Sequence, residues 1–345
     1  MKIRYQFLAA AVPALACVDS SSRTGTSDTT STPRQAPVVT SVTVNHGTYG
    51  MSSKLKWLIS SDGSAIIAVV DPVGVENEPI PNAFFYGSES RNFQTRMDSV
   101  WDVAPSPDWG SIAFSRARTL TNGEADSIPS SMWQDLARRT GMDTTTLRTG
   151  SFPTSGMSYA RGVAQPGIIQ IPADTRSAGA TDAAAAKMYP VALGWHVRWT
   201  PDGATVALGN SPAKAQDNEE SATWAALDPK TGAFHGTLPA EAKLLVPRWT
   251  NGPVLDISTP VDMQGSPAIR IMTGSRAMSI ESVNGVITAR EIGAATDSTA
   301  RMYTIGSGKA LAATKGGRYI LALAPRARPV ANEIPVEPVV YVVGW

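Results

Sequence analysis

Val197–Gly209 reads VRWTPDGATVALG, and Trp101–Ser115 reads WDVAPSPDWGSIAFS. In both, an apolar or aromatic stretch meets a Ser/Thr-Pro-Asp turn, and a β-rich run follows. Pro at the second turn position presets φ, and Gly shortly after Asp accepts the positive φ of a tight reversal. In the runs that follow, Ile112 and Phe114 share one face, as do Val206 and Leu208. Small residues stand between them, which is the alternation of a strand packed within a sheet. Shorter copies recur as SSDG at Ser60–Gly63, TNG at Thr250–Gly252 and KGG at Lys315–Gly317. Successive copies lie roughly 46, 94, 49 and 65 residues apart, against about 40–50 for a four-stranded radial repeat.

A four-stranded unit at that period predicts an all-β chain, a β-propeller of five to six four-stranded blades. By signature the blades fall at Lys54–Met97, from Ser99, from Trp195 to about Leu245, from Val246, and at about Lys309–Trp345. The 94-residue gap holds either two blades or one blade with an insertion. Ile168–Ile171 (IIQI) and Ala268–Met272 (AIRIM) read as strands within two stretches, 119–190 and 265–305, each with room for a degenerate sixth blade. Val38–Val44 and Pro338–Trp345 both read as strands. Their pairing would close the ring and hide two edges.

The two long copies resemble the Trp-x-Ser-Pro-Asp-Gly-x-x-Ile-Ala-Phe repeats of TolB-type β-propellers. TWAALDPKTG at Thr223–Gly232 looks like the outer strand of such a blade. The resemblance implies a toroidal binding platform, often in the bacterial envelope. It implies no catalytic residues, because the shared motif is structural.

The amino terminus points to a compartment. Lys2 and Arg4 precede an apolar run, Phe7–Ala16, and Ala14-Leu15-Ala16 then meets Cys17. This is the pattern of a secretory signal ending near a lipobox, although Ala14 stands where Leu is usual. Cys17 is the only cysteine, so the domain forms no internal disulfide, and the expected role of Cys17 is lipid attachment. Plain cleavage near Ala16 is the alternative. Residues 18–37, rich in Ser and Thr, cannot bury enough apolar surface to fold and read as a disordered tether. The expected organisation is a signal over 1–17, the tether, and a propeller domain over 38–345. A helical insertion is expected at about 127–142, where Pro129–Arg139 carries helix start and stop signals. Within it, Trp133 is either a core cap or a partner anchor, since aromatics lead interface hot spots.

Signals for chemistry are sparse. His46, His196 and His235 are far apart and lack metal-ligand spacing. Gly156–Ala160 (GMSYA) lacks the last Gly of a nucleophile elbow. Asp62, Asp108 and Asp202 read as turn formers. A net charge of +1 gives no reason to expect nucleic acid as partner. Arg198 and Arg248 occupy equivalent places, in VRWT and PRWT, and therefore face one ring of the channel. They either grip a ligand or pair with acids of neighbouring blades. His196 sits beside the channel on the same strand. The expectation is a non-enzymatic, membrane-anchored scaffold with no cofactor and no metal. It would bind a membrane protein complex or another envelope protein as an extrinsic subunit. Candidate contacts are Trp133, Arg198, Arg248 and His196. The alternative is a small-ligand or glycan-binding propeller, and a hydrolase ranks third.

Overall fold

A computed structural model describes residues 36–44, 52–73, 82–117, 163–171, 186–188, 192–193, 196–209, 224–239, 241–245, 254–257, 262–263, 265–293, 301–326 and 336–345, with scattered positions between 126 and 145. Among them the secondary structure is almost wholly β. After β1 (Val38–Thr43) come β2 (Ser52–Ile59), β3 (Ala65–Val73), β4 (Asn82–Ser88) and β5 (Phe93–Pro105). β2 to β5 form a first antiparallel meander. β5 serves two meanders. Its residues Phe93–Met97 pair with β4, and beyond register shifts its second half pairs with β6 (Ser111–Ala117). The second meander continues through β7 (Val163–Gln170), which pairs with both β8 (Ala186–Met188) and β9 (Ala192–Leu193).

The third meander is β10 (His196–Trp199), β11 (Val206–Gly209), β12 (Trp224–Leu227) and β13 (Phe234–Thr237). A short β14 (Val254–Asp256) pairs with β2. The fourth meander is β15 (Ile269–Thr273), β16 (Arg276–Val283), β17 (Val286–Glu291) and β18 (Met302–Ser307). The fifth is β19 (Lys309–Ala313), β20 (Tyr319–Pro325) and β21 (Val336–Gly344), and β1 supplies its fourth strand by pairing with β21. Successive four-stranded meanders, the last completed by the first strand of the chain, make a β-propeller fold.

Period-2 burial explains how the meanders pack. In β3, Ile66, Ala68 and Val70 face Tyr319 and Leu321 of the fifth meander. Ile67 and Val69 face the other way, toward Ile112 and Phe114 of the second. Both faces are therefore apolar, and burying each such aliphatic side chain contributes about 1.5–3 kcal/mol. Similar cores join the second meander to the third and the fourth to the fifth.

The turns after the inner strands repeat one hydrogen-bond pattern. Ser60, Ser106 and Thr200 each donate a side-chain hydroxyl to Asp62, Asp108 and Asp202, at 2.6 Å in every case. Each hydroxyl oxygen then accepts a backbone N–H five residues on, from Ala65, Ser111 and Thr205. Each carboxylate also takes a backbone N–H, from Ser64, Gly110 and Ala204. These bonds hold all three carboxyls below the usual range, Asp62 at about 2. In SPDWG the positive φ falls on Trp109 (φ 57), the residue directly after Asp108, where neither Gly nor Asn stands. The Trp109 ring stacks on Tyr86, and its carbonyl accepts the Tyr86 hydroxyl at 2.9 Å.

The meander boundaries bear on one point that the sequence leaves open and correct another. Within the 94-residue gap the described strands make one meander, with residues 118–162 lying between β6 and β7, and IIQI lies at the end of β7. The fourth described meander is β15–β18, Ile269 to Ser307, and starts at Ile269 rather than at Val246. Its turn, Thr273–Arg276, lacks the Ser/Thr-Pro-Asp signature.

Candidate functional site at the inner edges of the second and third meanders

Asp102 lies on the second half of β5, and His196 and Arg198 lie on β10. β10 is an edge strand of the third meander, and the second half of β5 is the first strand of the second, where a propeller turns its inner edge. Asp102 stands four residues before the turn residue Ser106, and His196 four before Thr200. Equal distances from equivalent turns place the two at the same level on adjacent strands, although 94 residues separate them.

The Asp102 carboxylate is the hub. Its Oδ2 accepts Arg198 Nη1 at 2.5 Å and the Val197 N–H at 3.1 Å, and lies 3.5 Å from His196 Nδ1. Its Oδ1 accepts the Val103 N–H at 2.9 Å. Burial opposes the charge on Asp102, but Arg198, His196 and the Val197 N–H outweigh it and hold the carboxyl well below the usual range. Arg198 is itself buried at 2% exposure and also donates to Val197 O at 2.6 Å. Next to it, Trp199 Nε1 donates to Ala104 O across the same junction at 3.0 Å.

Most of this cluster is a tie between meanders. Of the two roles open to Arg198 in the sequence, the geometry displays pairing with an acid of the neighbouring meander. His196 differs. With Nδ1 turned to the carboxylate, its Nε2 is buried and has no hydrogen-bond partner among the described residues. The Trp224 ring lies 6.5 Å from the imidazole. A buried ring nitrogen without a partner is costly, and a polar group of a ligand would satisfy it.

Trp133 is 1% exposed, so its ring packs inside and is not offered as an anchor. Cys17 and Arg248 lie outside the described residues, as do Gly156–Ala160. Asp102 was missed in the sequence. Its signal was present, because it matches His196 when the two long motifs are aligned on their turns. Among the described residues no group of three His, Cys, Asp or Glu is placed to hold a metal. No described helix is long and apolar enough to cross a membrane.

No family model and no curated protein matches the chain. Among solved structures, the β-propeller domain of the Trilobed protease from Pyrococcus furiosus is similar at 10% identity and TM-score 0.28, over 81% of this chain and 66% of that one. Pyrococcus horikoshii acylaminoacyl peptidase is similar at 10% identity and TM-score 0.29, over 79% and 35%. The Myceliophteria thermophila Cps50 (Swd1) β-propeller domain is similar at 9% identity and TM-score 0.25, over 87% and 73%. This chain thus spans less than two thirds of the length of the first two structures.

The expectation of a non-enzymatic chain is corrected by these comparisons, because peptidases stand among the similar structures. The reasoning behind that expectation also fails physically. Distance between His residues in sequence says little in this fold, where Asp102 and His196 meet across meanders. The likeness assigns no activity to this chain.

Proposed function

We propose that the chain is a five-bladed, TolB-type propeller held at a bacterial envelope membrane through lipid on Cys17. In this reading the five meanders are its blades, and the protein works as a binding platform, an extrinsic subunit of a larger membrane complex. The observation that carries the reading is the free face of the fourth meander. Met278, Ile280, Ile287 and Ile305 pack against the fifth meander. On the opposite face Met272, Val283, Val286 and Met302 are exposed, Met302 at 67% and Val283 at 55%. Val283 pairs with Val286 across the ladder, so these two side chains stand side by side, while Met302 lies farther along the same face opposite Arg290. A contiguous exposed apolar patch marks an interaction site on a folded protein, and in this reading the paired Val283 and Val286 are the centre of one.

The test is isolation of the native protein from membranes in mild detergent, with mass spectrometry of co-purifying chains and of the amino-terminal peptide. The reading predicts a stoichiometric partner, lost in Val283→Lys and Met302→Lys variants that keep their melting temperature. A purely monomeric species with an unmodified Cys17 would sink it.

A second reading rests on His196. Its unpartnered Nε2, beside Trp224 and the Asp102–Arg198 pair, suits a polar ligand at the inner edge, such as a glycan hydroxyl. That reading predicts a rise in melting temperature with one member of an oligosaccharide panel, and no rise in His196→Phe.

A further inference from the structure

The turn that opens the fifth meander departs from the other three in one position. Thr314 takes the place of Ser60, Ser106 and Thr200, and its hydroxyl oxygen likewise accepts a backbone N–H five residues on, from Tyr319 at 3.1 Å. Where the others carry Asp, this turn carries Gly316. It therefore has no carboxylate of its own.

Glu89, in the turn between β4 and β5 of the first meander, supplies one. It accepts the Thr314 hydroxyl, the Gly316 N–H at 2.9 Å and the Arg318 N–H at 2.8 Å. The hydroxyl and the N–H four residues on are the same two donors that Asp62, Asp108 and Asp202 take within their own turns. The glycine is required by this arrangement, because a Cβ at 316 would stand 2.5 Å from Glu89 Oε2. Glu89 is anchored on its own side too. Its N–H donates to Ser64 O at 2.8 Å, and its carbonyl accepts the Asn92 N–H at 3.2 Å. The borrowing turn is a meeting point, since the Lys315 N–H donates to Gly63 O of the first meander and Lys315 O accepts the Met272 N–H of the fourth. Beneath it, the Tyr319 hydroxyl donates to Phe93 O at 3.1 Å.

We propose that Glu89 is a latch: a carboxylate lent by the first meander to the last, which makes the two turns at their shared junction open as one unit. β1 ties the start of the chain to the fifth meander through backbone pairing, and Glu89 ties the first meander to the same fifth meander through a side chain. Local opening in folded proteins follows cooperative units of this kind.

Amide hydrogen exchange on the full-length chain tests the proposal, comparing the native protein with Glu89→Ala, Glu89→Gln, the double variant Glu89→Ala/Gly316→Asp, and Asp202→Ala as a local control. In Glu89→Ala, the Gly316 and Arg318 amides and the Glu89 and Asn92 amides are expected to lose protection together, on the order of tenfold, the scale of losing hydrogen bonds to a charged acceptor. Asp202→Ala is expected to affect only its own turn. The double variant, which gives the turn an aspartate of its own, is expected to restore protection at 318 but not at 89 and 92. If Glu89→Ala leaves 89 and 92 as protected as before, or if the double variant restores both sides, Glu89 is a turn cap and not a latch. Should Glu89→Ala fail to fold, Glu89→Gln, which keeps the shape and loses the charge, is read by the same criteria.

Discussion

Two carboxylates reach from one meander to the next, and they are satisfied in different ways. Asp102 meets a buried guanidinium, an imidazole and two backbone N–H groups at the inner edge. Glu89 meets a hydroxyl and two backbone N–H groups at a turn. The difference lies in what each would leave behind. Without Asp102 a charge is stranded inside the protein. Without Glu89 the donors left unpaired belong to a turn at the end of the strands, where water can replace part of what is lost. A tie between two charges is thus brittle, and a tie to amides yields gradually.

That contrast can be broken first at Asp102. Asp102→Ala is expected to cost about 3–5 kcal/mol, the usual price of leaving a buried ion without its partner, read from denaturant unfolding. Replacing both sides, Asp102→Leu with Arg198→Met, should cost less than Asp102→Ala alone. If the double variant is the less stable, the pair is worth more than its desolvation. Glu89→Ala should cost less, about 1–2 kcal/mol. A loss equal to that of Asp102→Ala would erase the distinction between the two ties.

Acid sharpens the comparison further. Asp62, Asp102, Asp108 and Asp202 are all held below their ordinary values in the folded protein. The unfolded chain therefore binds protons more readily, so these groups add stability that is complete above the ordinary carboxylate range and is lost as pH falls through the folded values. For Asp62 that window runs from 3.8 down to about 2. Melting temperature should decline below about pH 4, with a shallower decline in Asp102→Asn. A flat profile would mean that these carboxylates are no better stabilised folded than unfolded.

The smallest expected effect is at Trp109. Glycine there removes the penalty of a positive φ, worth about 1–2 kcal/mol, and gives up ring contacts of similar size with Tyr86. Trp109→Gly should move stability by less than about 1 kcal/mol. A loss above about 2 kcal/mol would show that the stacked ring, and not the backbone, governs this turn.

The legible parts of the fold were those encoded within a few residues. Asp62, Asp108 and Asp202 take hydroxyl and N–H partners two residues away, so a four-residue motif specifies them completely. The pairing of Val38–Val44 with the carboxy-terminal strand was legible from alternation and edge logic. The fourth meander escaped because its tight turn carries none of the motif, and only its alternating strands, such as IRIM, betray it. At the candidate site, Arg198 and His196 stood out by their place before the turn. Their partner Asp102 holds the matching place in the other long motif, but 94 residues intervene and only packing shows that the two strands meet.

By itself the amino-acid sequence determined an all-β chain of repeated hairpins, the turn chemistry of three of them and the strand that completes the last meander. All of these follow from φ preferences and period-2 alternation acting over short spans. Only the tertiary structure decided that Asp102 would hold Arg198 and His196, that Trp133 would be buried, and that Glu89 would complete the turn at Thr314. Each depends on which meanders become neighbours, because a side chain's partners are set by the packing of faces and not by distance along the chain.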